Sequence, residues 1–94
     1  MDIDKIDARL MELDHILEEE NEGYLSQESV INFYDFILLF TKQPKISLTP
    51  NNEIYATWEN DYDGDTKLSI MFTDSGKRIM AMFKNKKPVG QVEL

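Results

Sequence analysis

The sequence contains no cysteine and a single histidine among its 94 residues. Without cysteine there is no disulfide, no thiolate ligand for a metal and no thiol nucleophile. Such a chain suits a reducing compartment, and we expect it to act in the cytoplasm.

Long apolar runs are also missing. The longest, residues 36–40, is far shorter than the about 20 residues that a membrane-spanning helix requires. The first ten residues are acidic and amphipathic, whereas a secretory signal begins with positive charge and continues with an apolar segment. We therefore expect neither a membrane anchor nor secretion.

The residue patterns that usually carry catalysis are absent from the sequence. The four glycines stand at positions 23, 64, 76 and 90 and form no phosphate-binding loop. No serine lies in a nucleophile-elbow motif, and we expect His15 on the outer face of a helix. Carboxylates are numerous, but nothing indicates a pocket that would separate their pKa values. The sequence predicts a protein that is not an enzyme and holds no cofactor.

Residues 61–66 carry aspartates at alternate positions, as calcium-binding loops do. An EF-hand loop counted from Asp61 also needs glycine at its sixth position and glutamate at its twelfth. These positions hold Thr66 and Phe72. A solvated hairpin loop explains the segment better than a metal site, and no metal is expected.

Charge is distributed unevenly along the chain, whose net charge is −8. Residues 1–28 contribute −8, residues 29–65 contribute −4 and residues 66–94 contribute +4. Negative charge opposes binding to phosphate backbones and anionic lipids, so neither nucleic acid nor a membrane is an expected partner. A basic protein is the natural complement of this chain.

Two helices are expected in the N-terminal half. Residues 2–20 carry apolar side chains at alternating spacings of three and four, namely Ile3, Ile6, Leu10, Leu13 and Leu17. Asp2 is the expected N-cap, and Gly23 the expected left-handed stop. Residues 26–42 are apolar around most of their circumference, so we expect this helix to lie between the first helix and a sheet.

From residue 45 onward the apolar period changes to two, which is typical of strands. Strands are expected at residues 53–59, 66–73 and 78–84, with a further candidate edge strand at 89–94. Within the third of these strands, Ile79, Ala81 and Phe83 are expected to face the core. The predicted fold is a single α+β domain over residues 1–94, in which a helical hairpin packs on a three- to four-stranded antiparallel meander.

The carboxylates expected to bind a partner fall in two segments. One lies at the C-terminal end of the first helix, where the helix dipole disfavours negative charge. Two interpretations of that segment remain open. It is either a solvated helix end that aids solubility or an anionic surface that binds a basic partner. The second segment is the acidic loop. The candidate residues are Glu18, Glu19, Glu20, Glu22, Asp61, Asp63 and Asp65.

A second candidate surface is the face of the sheet that points away from the expected core. It is rich in methionine, which adapts to irregular partners and is common at binding surfaces. Either the C-terminal tail or the first helix covers this face, or it serves in dimerisation or partner binding. Its apolar members are Tyr55, Met71, Met80 and Met82.

Two segments carry a resemblance to other proteins. Residues 44–59 place Pro44 and Pro50 around an extended stretch, followed by a polar turn, a strand and Trp58-Glu59, and residues 68–76 form a strand that ends in Asp-Ser-Gly. The chain resembles, over a third to a half of its length, small bacterial proteins from mobile-element or phage-related neighbourhoods. The resemblance implies a bacterial or phage origin and an accessory role, and it assigns no functional residue.

These observations favour a non-enzymatic acidic protein that binds a basic protein partner. One concrete form is a phage or mobile-element inhibitor that mimics DNA, as some anti-CRISPR proteins do. Another is an antitoxin or immunity protein that neutralises a basic nuclease. The alternative is a structural module that forms a homodimer through its apolar sheet face or its heptad helix.

Overall fold

The computed structural model describes residues 1–59 and 65–94. Within them, two helices precede five strands: α1 (Ile3–Glu20), α2 (Gln27–Ile37), β1 (Lys45–Leu48), β2 (Ile54–Glu59), β3 (Thr66–Phe72), β4 (Arg78–Lys84) and β5 (Lys87–Glu93). The strands form one antiparallel sheet in the order β1-β2-β3-β4-β5. The predicted α+β arrangement is confirmed, but the sheet has five strands in the described residues, and not three or four.

Helix α1 begins where the sequence predicts. The Asp2 carboxylate accepts a hydrogen bond from the Lys5 backbone N–H at 3.2 Å. The helix ends at Glu20, and its left-handed C-cap is Asn21 (φ 53°), two residues before the expected Gly23. Asparagine tolerates this conformation better than most residues, and it completes the helix C-cap here. The heptad stripe is buried at Ile6, Leu10, Leu13 and Leu17.

Helix α2 begins at the predicted N-cap, since the Ser26 hydroxyl accepts from the Ser29 backbone N–H at 3.2 Å. It ends at Ile37, five residues before the predicted end. Beyond it, Phe40 stacks on Trp58 with ring centroids 4.7 Å apart. The Trp58 indole N–H donates to the Lys42 carbonyl at 2.8 Å. These two contacts attach residues 40–42 to the sheet in place of a further helical turn.

Both helices pack on the same face of the sheet, α1 against β1 and α2 against β2 and β3. The prediction that α2 lies between α1 and the sheet is therefore wrong. The outward side of α2 is not covered, because Ile31 and Leu38 are 61% and 68% exposed. A single core joins the two helices to the first three strands; its buried apolar members are Ile6, Leu10, Leu13, Leu17, Leu25, Phe33, Ile37, Ile46, Ile54, Ala56, Trp58, Ile70 and Phe72.

Two buried polar side chains fix α2 on the sheet. The Ser29 hydroxyl donates to the Phe72 carbonyl and accepts from the Ile54 backbone N–H at 2.7 Å. The Asn32 amide donates to the Lys77 carbonyl at 2.9 Å. These hydrogen bonds offset the cost of desolvating the two side chains, and they specify the position of the helix on the sheet.

The register of β4 differs from the sequence prediction. Met80 pairs with Ile70 and Met82 with Leu68, so the two methionines point to the helix side of the sheet. Ile79 pairs with Met71 and lies on the opposite face, as Ala81 and Phe83 do. The expectation that these last three residues face the core is therefore wrong, because a strand's two faces exchange when its phase shifts by one residue.

Two strands at the margins of the sheet complete the architecture. The short β1, which the sequence analysis did not predict, pairs Ile46 with Ala56 of β2. The expected edge strand exists, but it spans Lys87–Glu93, and every residue in it is exposed. A two-residue turn connects it to β4, with Asn85 and Lys86 both at positive φ, as type I′ hairpin turns require.

Candidate partner-binding surface

The first predicted acidic segment occupies the end of α1 on a fixed backbone. Glu18, Glu19 and Glu20 form the last turn of the helix, all three exposed, and this turn contains no basic residue. His15 Nε2 lies 3.0 Å from a carboxylate oxygen of Glu19. The segment therefore carries concentrated negative charge at the end of the helix where the dipole is also negative.

The chain just after this turn is attached to the sheet. The Glu22 backbone N–H donates to the Leu17 carbonyl at 3.0 Å, and the Glu22 carbonyl accepts from the Asn52 side-chain amide at 3.0 Å. The Ser26 N–H in turn donates to the Asn52 carbonyl at 3.0 Å. Asn52, in the turn between β1 and β2, thus holds the acidic end of α1 in place.

The second predicted acidic segment is not part of the same patch. Asp61 and Asp63 lie outside the described residues. Asp65 precedes β3 at the end of the sheet opposite to Asn52, and its carbonyl accepts from the Asn85 N–H at 3.0 Å. The Asp65 side chain shares a recess with Lys67 and Lys86, whose positive charges offset its own.

The four residues of the predicted apolar face do not share one side of the sheet. Tyr55 pairs with Met71 on the side away from the helices. Met80 and Met82 point to the helix side, where Met80 packs against the core and Met82 is 45% exposed. The prediction of a single methionine-rich face is therefore wrong.

The helix layer contains a groove that the sequence analysis did not predict. The groove has a volume of about 300 Å³ and is lined by both helices and the segment that connects them. Leu10, Leu25 and Val30 contribute apolar surface, and the side chain of Met11 is 73% exposed. The remaining lining residues are Asp7, Asp14, Gln27 and Tyr34.

The charge of this groove is entirely negative and comes from α1. Asp7 and Asp14 are its charged lining residues, and no lysine or arginine of the described ranges lines it. The Tyr34 hydroxyl donates to the Asp7 carboxylate and so connects the two helices. Partial burial and the neighbouring Asp7 carboxylate raise the pKa of Tyr34 to about 12.

A second apolar recess lies on the helix side of β4 and β5, beyond the part of β4 that contacts α2 through Arg78. This recess has a volume of about 300 Å³, and its lining residues include Met80, Met82, Val89 and Val92. Val89 and Val92 are 58% and 49% exposed. Three of the six basic residues of the C-terminal third, Lys84, Lys86 and Lys87, lie at the hairpin turn beside this recess.

The heptad stripe of α1 is occupied within the chain. Its residues Ile6, Leu10, Leu13 and Leu17 lie in the core, so in this fold they are not a free surface for a second copy. The groove could have been anticipated from one signal, which is that Asp7, Met11 and Asp14 fall on the same side of α1, next to the buried stripe.

Two further observations concern the described residues. In residues 1–59 and 65–94, no group of three or more histidine, aspartate or glutamate side chains is arranged to hold a metal ion. Neither of the two helices is long and apolar enough to cross a membrane.

No family model, no curated protein and no solved structure matches this chain.

Proposed function

We propose that this protein is a non-enzymatic interaction protein that binds a basic protein partner through its helix layer. The observation that supports this most is the combination of an apolar groove with carboxylates on one helix and no basic lining residue. An apolar surface supplies affinity, and charge of one sign selects and steers an oppositely charged partner.

The distribution of negative charge along α1 supports the same proposal. Asp14 and Glu18 are exposed and form no ion pair with any residue in the described ranges. The glutamates of the last turn oppose the helix dipole, so their position is unfavourable for the helix alone. We confine the proposed surface to α1 and its groove, since Asp65 lies at the other end of the sheet.

The proposed setting is the bacterial cytoplasm. Its basis is the lack of cysteine and the resemblance to small mobile-element and phage-related proteins. A DNA-mimicking inhibitor and an antitoxin or immunity protein are the two forms that fit. Both use a fixed anionic surface to occupy a basic site on another protein.

Charge reversal tests the proposal. Replacing Glu18, Glu19 and Glu20 by lysine should weaken binding to the basic partner captured from the native host at least about tenfold, or about 1.4 kcal/mol. The matched control reverses three carboxylates of the sheet and its turns, namely Asp65, Asp74 and Glu93, and so changes the net charge equally. Isothermal titration measures both affinities. Equal losses in the two variants, or no loss in the first, would contradict the proposal.

A second candidate function is self-association through β5. This strand forms an edge of the sheet and is exposed along its whole length, and open edges pair readily with other strands. The Leu94 N–H donates to the Arg78 carbonyl, so these two residues form a hydrogen-bonded pair of the β4–β5 ladder. Hydrogen-bonded and non-hydrogen-bonded pairs alternate along an antiparallel ladder, so the N–H and C=O groups of Gln91 point away from β4, toward the open edge. Analytical sedimentation of the wild type and of Gln91→Pro, which removes one outward N–H, tests this self-association. A monomeric wild type would exclude it.

A further inference from the structure

We infer that the groove between α1 and α2 receives an amphipathic helix of the partner, with an apolar stripe and lysine or arginine along one flank. This inference rests on the proposed function and specifies the partner's chemistry. It is carried by the shape of the groove, by the sign and placement of its charge, and by the backbone around it.

The length of the groove matches the repeat of a helix. Along α1 its lining residues run from Asp7 to Asp14, and along α2 from Gln27 to Tyr34. Each interval is seven residues, or about 10 Å at the helical rise. Apolar anchors at positions i, i+3 or i+4, and i+7 of a docked helix span the same distance.

The backbone around the groove favours a helix over a strand. Most of the groove is walled by two helices, whose main-chain N–H and C=O groups are bonded within each helix except in the first turn of α2. An extended peptide would find few main-chain partners along these walls and would leave most of its own polar groups unsatisfied. A helix satisfies its backbone internally and needs only side-chain contacts, which the exposed Met11 and the half-buried Val30 offer.

The negative charge lies on one wall of the groove, and this placement determines which flank of the docked helix carries basic residues. Asp7 and Asp14 lie on the α1 wall, whereas the α2 wall contributes the neutral Gln27 and Tyr34. A helix with basic residues seven positions apart on one flank would place one beside each aspartate. On its other flank, neutral polar residues would face α2.

The test uses a synthetic helical peptide with a leucine stripe and two lysines seven residues apart on one flank, titrated calorimetrically into the full chain. Its control peptide has glutamine in place of both lysines. We expect the lysine peptide to bind, and the glutamine peptide to bind about tenfold more weakly.

Two matched pairs of variants locate the binding site. Asp7→Asn with Asp14→Asn should weaken binding about tenfold. Asp74→Asn with Glu93→Gln removes the same charge from the sheet and its turns, outside the proposed surface, and should change affinity less than about twofold. Met11→Ala should weaken binding, and Leu39→Ala, which truncates an equally exposed leucine (75%) outside the groove, should not. Circular dichroism verifies that each variant is folded.

The outcomes separate this inference from the proposed function. If both charge pairs weaken peptide binding equally, or if Met11→Ala has no effect, the groove is not the site and the inference is overturned. Failure of the lysine peptide to bind the wild type also overturns it. In each of these cases the proposed function still stands if the partner captured from the host is sensitive to reversal of Glu18–Glu20, and falls if it is not.

Discussion

The sheet has two unequal halves, and they differ in what covers them. Ile54, Ile70 and Phe72 of β2 and β3 are 0% exposed beneath the helices, whereas every residue of β5 is exposed. Strand β4 pairs with β3 and contacts α2 at its first residue, since the Arg78 guanidinium lies 4.7 Å from the centroid of the Phe36 ring. Strand β5 pairs with β4. The covered half therefore provides most of the stability of the fold, while β5 and the end of β4 extend beyond its core.

The largest expected effect compares two phenylalanines from the two halves. Phe72 is fully buried and its ring centroid lies 5.2 Å from that of Phe33. Phe72→Ala should lower the free energy of unfolding by about 3–5 kcal/mol, because it leaves a cavity in the core. Phe83→Ala, on the uncovered side of β4, should cost about 1 kcal/mol or less. Urea denaturation followed by circular dichroism measures both.

Similar losses of unfolding free energy in these two variants would contradict the difference between the two halves of the sheet. Such a result would mean that the face of the sheet away from the helices is buried in solution, for example by self-association. Repeating the denaturation at several protein concentrations detects this, because the stability of a dimer depends on concentration.

An intermediate effect is expected at the polar link between α2 and the sheet. Ser29→Ala removes the acceptor of the Ile54 N–H and the donor to the Phe72 carbonyl, both buried. It should lower the free energy of unfolding by about 1–3 kcal/mol. Ser47→Ala is the matched control, since the Ser47 hydroxyl is exposed and makes one long contact of 3.4 Å with the Tyr55 carbonyl. Equal stability of the two variants would contradict a structural role for Ser29.

The smallest effect concerns the link between the two helices. Tyr34 has a pKa of about 12 in the folded protein, above the ordinary tyrosine value of 10.0, so folding favours its protonated form. The stabilisation is complete below pH 10 and is lost as the pH rises from 10 to about 12. Between pH 10 and 12, the midpoint temperature of thermal unfolding should fall less steeply for Tyr34→Phe than for the wild type. Parallel declines would show that the Asp7 contact does not favour the protonated phenol.

Much of the fold could be predicted from periodicity and capping. The start of α1 at Asp2 and of α2 at Ser26 follows from local side-chain chemistry, which the sequence displays directly. The end of α2 could not be predicted, because Leu38 and Leu39 continue the apolar pattern and the stop depends on the tertiary contact between Phe40 and Trp58. Similarly, β1 is only four residues long and gains its stability by pairing with β2.

Which residues of β4 face the core could not be predicted, for a different reason. Its sequence Arg-Ile-Met-Ala-Met-Phe-Lys is apolar in both phases, so alternation alone does not decide which residues face the core. The turn decides: the Thr73 N–H donates to the Lys77 carbonyl at 2.9 Å, and Arg78 consequently pairs with Phe72. Register follows from turn length, which the residue types of the turn did not reveal.

The candidate surface was predicted in part. The end of α1 is acidic and exposed, as expected, because carboxylates at such a density are rarely buried. The groove was not predicted, since it depends on how far apart α1 and α2 lie on the sheet. Spatial separation also divides Asp65 from Glu22, although both lie in acidic stretches of the sequence.

The most direct test of the central claim is carbodiimide cross-linking of the protein to the basic partner captured from its native host. This reagent joins carboxylates to lysines, and mass spectrometry identifies the joined residues. The account predicts links from partner lysines to Asp14 and to Glu18–Glu22 of the helix layer. Links confined to Asp65, Asp74 or Glu93, with none to α1, would contradict it.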